Sequence, residues 1–232
     1  MKDANKTKAQ LIGELVEMRR RVTELEAADA GHVEMIPAEV LATATRNQIF
    51  ALAAVVDAKD PYTFTHSKGV ADIAETVGDA VGLSKKKLQD LRAAALLHDI
   101  GKVGVPDEIL TKADKLSGEE MEIVKKHAAE GARIVGFVKE LEALVPMIRH
   151  HHEWHDGSGY PDGLRGKDIP VGARILCIAD AYDTMTTPRG YREVLSQKDA
   201  LGELRWYSEK QFDPELVKAF CRACGASDED ED

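Results

Sequence analysis

From Ala38 to Ala226 the apolar residues recur at helical spacing, and short breakers separate one run from the next. Val40, Leu41, Ala44, Ile49, Leu52, Ala53 and Val56 hold one face that ends before Asp60-Pro61. Val70, Ile73, Ala74, Val77 and Val81 hold a second, closed by Gly82, and Leu88, Leu91, Ala95 and His98 a third, which stops at Gly101. Ser117 with Glu120 forms a capping box that opens a helix carrying His127. Leu141, Leu144 and Val145 belong to a further helix, and Pro146 suits a fresh start running into His150–His152. Arg174 to Met185 makes another, and Asp213-Pro214 caps and starts the last. Within the run from Arg174 to Met185, residues 174–180, RILCIAD, could instead form a short buried strand. With no alternating pattern elsewhere, an all-α domain is expected over residues 38–226.

The flanks differ in kind. Leu11, Leu15, Met18, Val22 and Leu25 follow the 4-3-4-3 spacing of a short coiled-coil seam within residues 1–30. Such a segment is an amphipathic helix lying on its own domain, a dimerising coil, or the end of a signalling helix entering from upstream. Residues 31–37 read as a linker, and residues 227–232 as a disordered acidic tail.

Charge and cysteine usage narrow the function classes. Lys and Arg number 31 against 41 Asp and Glu, a formal net charge of −10, which argues against a DNA or RNA polymer as partner. Three cysteines make no disulfide framework, so a reducing, cytoplasmic location is expected. Cys221 and Cys224 form a CxxC without a second pair at zinc spacing; two thiols near a helix end is the simpler account. The start, MKDANKTKAQ, lacks the apolar core of a signal peptide, and no run approaches the ~18 apolar residues of a membrane span, so no membrane insertion is expected.

Histidine is where the chemistry gathers. Of eight histidines, four lie between positions 150 and 155. The His98-Asp99 pair ends an apolar helix, a costly place for polar groups unless both are satisfied. His66, His127, the His150-His151-His152 run and Asp180 complete a set of nitrogen and oxygen donors without a cysteine cluster. Such a set suits iron, manganese or another borderline divalent ion. Neighbouring helical residues diverge by about 100°, so His151 and His152 in mid-helix would struggle to share one ion. Two ions about 3.5–4 Å apart remove that difficulty and suit phosphoester cleavage; a carboxylate such as Asp99 would bridge them beside a nucleophilic hydroxide. Lys102, four residues after His98, either holds a phosphate oxygen or is a solvated cation on the helix dipole.

In order, HSKGVADIA (66–74), HDIGKVGVPDEIL (98–110), KHAAEG (126–131), HHEWHDGSGYPDGLRG (151–166) and ARILCIADAYDTMT (173–186) resemble the HD-GYP subgroup of the HD phosphohydrolase superfamily, over roughly residues 40 to 220. The resemblance implies an all-α HD-domain bundle with a bimetallic centre that hydrolyses the bacterial messenger cyclic di-GMP to pGpG or onward to GMP. It implies two divalent ions, iron or manganese first and nickel or zinc also accommodated. His66, His98, Asp99 and Asp180 would hold one, Asp99 bridging, and His127, His151 and His152 the other. Lys102 matches the lysine on the scissile phosphate, Tyr160 the signature Gly-Tyr-Pro loop linked to substrate or partners, and Arg189 and Arg192 basic positions for the messenger's phosphates. Asp183 matches another acidic position near the substrate, or a carboxylate behind the ligands. His150 and His155 match no ligand position. GGDEF-type or other signalling partners and a homodimer through the N-terminal helix accompany the resemblance.

Two positions depart from the pattern. Tyr62 stands where some members carry a glutamate for a third metal, which favours two ions. Gly190 replaces the usual proline after Arg189 and loosens that loop. Two other functions fit the same residues: a superfamily phosphohydrolase or diiron enzyme acting on another nucleotide or small molecule, and a non-catalytic module that binds cyclic di-GMP.

Overall fold

The computed structural model describes residues 17–23, 51, 63–112, 114–188 and 194–226. The chain divides into two compact units, 1–46 and 47–232. In the first, residues 17–23 are helical and the seam positions Met18 and Val22 are exposed. Leu11, Leu15, Leu25, the linker and the tail fall outside the described residues, as does all but position 51 of the helix expected over 40–56.

In the second unit the described elements are α1 (Thr63–Ala80), α2 (Lys85–Leu97), a three-ten turn at Ile100–Gly104, α3 (Asp107–Leu110), α4 (Gly118–Val135), a three-ten turn at Lys139–Leu144, α5 (Val145–Arg149), a three-ten turn at Gly166–Asp168, α6 (Val171–Thr186), α7 (Gln197–Trp206) and α8 (Pro214–Ala223). No strand occurs among the described residues beyond an isolated bridge between Ser208 and Phe212. The all-α expectation therefore holds.

α1 buries Val70, Ala71, Ala74 and Val77 against α2 and α6. α2 answers with Leu91, Ala94, Ala95, Leu96 and Leu97. α6 is the central helix, touching α1, α2, α5, α7 and α8. That position explains RILCIAD: a helix covered all round has no polar face, so its periodicity vanishes and it imitates a buried strand. Ile175, Leu176 and Ile178 are fully buried, each contributing about 1.5–3 kcal/mol of hydrophobic stabilisation.

The expected caps are present. Ser117 Oγ accepts from the Glu120 amide at 3.2 Å while Glu120 Oε2 accepts from the Ser117 amide at 2.7 Å. Asp213 Oδ1 accepts from the Glu215 amide at 2.9 Å, and its other oxygen pairs with Arg174 of α6, which ties α8 to the core. Two differences matter. The helix expected at 141–145 is a three-ten turn followed by α5, which stops at Arg149, so His151 and His152 lie beyond its end. α7 went unanticipated, although Ser196 opens it by accepting from the Asp199 amide at 3.2 Å.

One close approach positions the site. The turn after α2 lies directly on α4, where a Cβ on Gly101 would sit 1.9 Å from the His127 carbonyl oxygen. Only glycine allows that contact, which brings Asp99 and Lys102 beside His127.

Candidate metal centre

Three histidines are set by the same device. His98 Nδ1 donates to the Ala95 carbonyl at 2.6 Å, His127 Nδ1 to Val124 at 2.7 Å, and His151 Nδ1 to Ile148 at 2.7 Å. Each bond spends the Nδ1 proton on the carbonyl three residues back and leaves Nε2 as a lone pair. His127 Nε2 and His151 Nε2 then face each other at 3.3 Å, two lone pairs that repel unless a cation lies between them. His98 Nε2 is buried and, among the described residues, has no hydrogen-bond partner.

Asp99 stands between these rings. Its Oδ2 is 2.6 Å from Lys102 Nζ and 3.4 Å from His98 Nε2, and its Oδ1 is 3.4 Å from His127 Nε2. His66 Nε2 lies 3.2 Å from Asp180 Oδ1. The donor atoms form three overlapping groups, each within 4.8 Å: His66, His98 and Asp180; His98, Asp99 and His151; His127, His151 and His152. All seven expected ligands thus meet in one cluster. A buried, thiolate-free set with an orphaned Nε2 and facing lone pairs fits divalent metal.

Protonation supports the same use. Burial pushes the Asp99 carboxyl up, but Lys102, His98 and His127 hold it well below the ordinary carboxylate range. Asp180 is likewise pushed up by burial and held far down by its contact with His66 and by the neighbouring imidazoles. Burial lowers His127 and His151, and drives His152 to about 3 with help from His127. Ionised carboxylates and neutral imidazoles are the forms that bind metal.

Other expected residues sit around this cluster. Lys102 is one-fifth exposed on Asp99. The Tyr160 ring lies 4.9 Å from that of His152 at 32°, with Lys125 Nζ 5.7 Å from its centroid. Asp183 is buried, and its Oδ2 accepts from His66 Nδ1 at 2.6 Å. His150 is held by the Pro146 carbonyl and Asp162 and His155 by its backbone bond to Gln211, and neither joins the cluster. Arg189, Arg192, Gly190 and Tyr62 lie outside the described residues.

The adjacency of His151 and His152 needs a correction. Both follow α5 in a turn, their rings 4.0 Å apart, and both group with His127, so adjacency alone does not demand two ions. Glu153 was missed. It is buried and accepts the amides of Asp162 at 2.7 Å and Leu164 at 3.1 Å. Its signal was a carboxylate directly after the paired histidines and ahead of a glycine-rich loop.

A helical bundle that gathers histidines and aspartates from α1, α4, α6 and the turns after α2 and α5 into a cluster that could hold metal defines a domain of the HD type. The chain belongs to the HD domain family, whose profile matches residues 50–216. It is 35% identical over 182 residues to the cyclic di-GMP phosphodiesterase response regulator RpfG of Xanthomonas campestris, covering 76% of this chain and 47% of that protein. It is also 35% identical to the 3'3'-cGAMP-specific phosphodiesterase 3 of Vibrio cholerae, over 92% of this chain and 48% of that one. Among solved structures, an HDG"Y"P protein from Bdellovibrio bacteriovorus superposes with a TM-score of 0.56 at 26% identity, covering 69% of this chain and 52% of that one. The chain spans about half the length of the curated relatives it matches. Among the described residues no helix is long and apolar enough to cross a membrane.

Proposed function

We propose that this domain is a metal-dependent phosphodiesterase that hydrolyses cyclic di-GMP to pGpG or GMP in second-messenger signalling. The observation that carries the proposal is Asp99, set between the His98 and His127 nitrogens with the partly exposed Lys102 ammonium on its carboxylate. Two divalent ions, iron or manganese before nickel or zinc, would be held by His66, His98, Asp99 and Asp180 and by Asp99, His127, His151 and His152. When bound, such ions supply Lewis acidity toward phosphate oxygens and acidify water toward neutral pH.

The chain's own groups do the rest. Lys102 presents positive charge where a phosphate oxygen gains negative charge during displacement. Asp183 holds His66 in one orientation through the 2.6 Å bond. Tyr160 covers the flank of His152 and narrows access there. Arg189 and Arg192 hold the second phosphate, which turns binding into orientation of the first. A second chain joined through the N-terminal helix, or a GGDEF-type partner, would regulate turnover.

The test is anaerobic loading with Fe²⁺ or Mn²⁺ and chromatography of products from cyclic di-GMP, 3'3'-cGAMP, cyclic di-AMP and cyclic mononucleotides. Cleavage of cyclic di-GMP, abolished in Asp99→Ala, supports the proposal. Preference for 3'3'-cGAMP would move the substrate toward that of the Vibrio relative. Binding without cleavage under either metal would replace the enzyme with a messenger-binding module.

A further inference from the structure

Glu153 is a buried carboxylate next to the proposed metal ligands that has no part in the chemistry proposed for them. Only 1% of it is exposed, and both oxygens are spent on backbone amides of the loop that follows, Oε1 on Asp162 and Oε2 on Leu164. That loop is strapped to the ligand segment at two further points. The Tyr160 amide donates to the His152 carbonyl at 3.1 Å, and Asp162 receives Arg149 Nε and Nη2 at 2.8 and 2.7 Å and His150 Nε2 at 2.9 Å. The fit between loop and ligand backbone is direct: a Cβ on Gly159 would fall 2.2 Å from the Trp154 nitrogen and 2.5 Å from the His152 oxygen. His151 and His152 have no helix of their own to hold them, because α5 ends at Arg149. Their backbone is instead fixed from the loop side, and Tyr160 is pressed against the His152 ring as a result.

We infer that Glu153 is a positioning residue for the metal centre: by clamping the amides of Asp162 and Leu164 it fixes the turn that aims His151 and His152 at His127. This rests on the proposed metal-binding role of the cluster but not on any substrate. Removal of groups that orient metal ligands typically costs 10- to 100-fold in metal affinity. Glu153→Gln is the sharpest variant, since an amide offers one acceptor oxygen and turns an NH₂ toward the second backbone N–H.

The experiment is Co²⁺ titration followed by visible absorption, with His152→Ala identifying the phase that belongs to the His127–His151–His152 group. In Glu153→Gln that same phase weakens 10- to 100-fold while helical circular dichroism is retained. A folded Glu153→Gln protein with an unchanged Co²⁺ isotherm overturns the inference. Wild-type protein supplies a second measurement that survives misfolding of the variant. Coupling is reciprocal, so if the loop bonds favour metal, metal must favour the loop bonds. Amide hydrogen exchange at Asp162 and Leu164 therefore slows on saturation with Co²⁺, and exchange that is indifferent to Co²⁺ overturns the inference. Failure of wild-type protein to bind Co²⁺ at all would remove the metal centre itself, a result distinct from either of these.

Discussion

Asp183→Ala separates a carboxylate that orients a ligand from one that touches substrate. His66 and Asp183 are each about 3% exposed and share a 2.6 Å bond in which Nδ1 donates and Oδ2 accepts. A hydrogen bond to a charged group contributes about 1.5–3 kcal/mol. At about 1.4 kcal/mol per decade, that is roughly 10- to 150-fold in an equilibrium constant. Alanine removes the acceptor, leaves the Nδ1 proton in a dry pocket and lets the ring rotate away from His98 and Asp180. Mn²⁺ affinity at the His66 group should fall by about 10- to 100-fold. The metal-free protein should lose about 1–3 kcal/mol for the buried donor left unmade. Asn keeps an acceptor oxygen without the charge, so Asp183→Asn should lose less on both measures. Calorimetric titration with Mn²⁺ and denaturant unfolding in chelator read the two effects. A substrate contact would instead raise KM and leave metal affinity untouched. Wild-type Mn²⁺ affinity in folded Asp183→Ala would refute the orientation argument.

Lys102→Ala should keep its metal content and lose hydrolysis by about two orders of magnitude, as expected for removing one group that stabilises developing charge; a turnover assay beside elemental analysis checks this, and undiminished kcat would count against it. Gly101→Ala forces a Cβ against the His127 carbonyl, so it should destabilise by about 1–3 kcal/mol through overpacking and spread the Asp99–His127 pair. Thermal denaturation with and without Mn²⁺ would show both losses, and a wild-type melting curve would contradict the packing. Acidification should destabilise the metal-free domain. Burial first, then His127, lowers His152 from 6.5 to about 3, so between those values the unfolded chain binds the proton more readily and stability rises with pH. The contribution is complete above about pH 6.5 and lost on the way down to about 3. Unfolding in chelator at pH 7.5, 6.5 and 5.5 tests the sign; greater stability at 5.5 would reverse it.

Sequence periodicity exposes a helix only where one side of it meets water. α1 and α4 do: the stripe of α1 is legible at Val70, Ala74 and Val77, and the cap of α4 at Ser117 and Glu120. α6 does not, which is why residues 174–180 look like strand or helix alike. α7 fails for the opposite reason: Ala200, Leu201 and Leu204 are its buried residues in a mostly polar stretch, so only the Ser196 cap marks it. The seven clustered donor positions are legible because donor-bearing motifs follow the family order. Their supports are not, since Asp183 meets His66 across 117 residues of chain and Glu153 finds amides that every residue but proline carries. A backbone acceptor such as the Ala95 carbonyl leaves no trace in side-chain identity at all.

That last class of support explains why histidines at helix ends recur in this site. The final turn of a helix leaves carbonyls without an intrahelical partner, and burying them unpaired is unfavourable. His98, just past α2, and His151, just past α5, each give the Nδ1 proton to the carbonyl three residues back. One bond then satisfies an orphaned backbone acceptor, fixes the ring, and selects the tautomer whose Nε2 faces inward. The arrangement leaves stability and metal binding unequally exposed to mutation. Replacing either histidine by asparagine keeps a side-chain N–H near the carbonyl but removes the inward lone pair, whereas alanine removes both. If helix ends and metal centre are joined as described, asparagine at His98 or His151 should lose metal like alanine while retaining more of the metal-free stability. Equal loss of that stability in both substitutions would show that the carbonyl bonds contribute nothing to holding the helix ends.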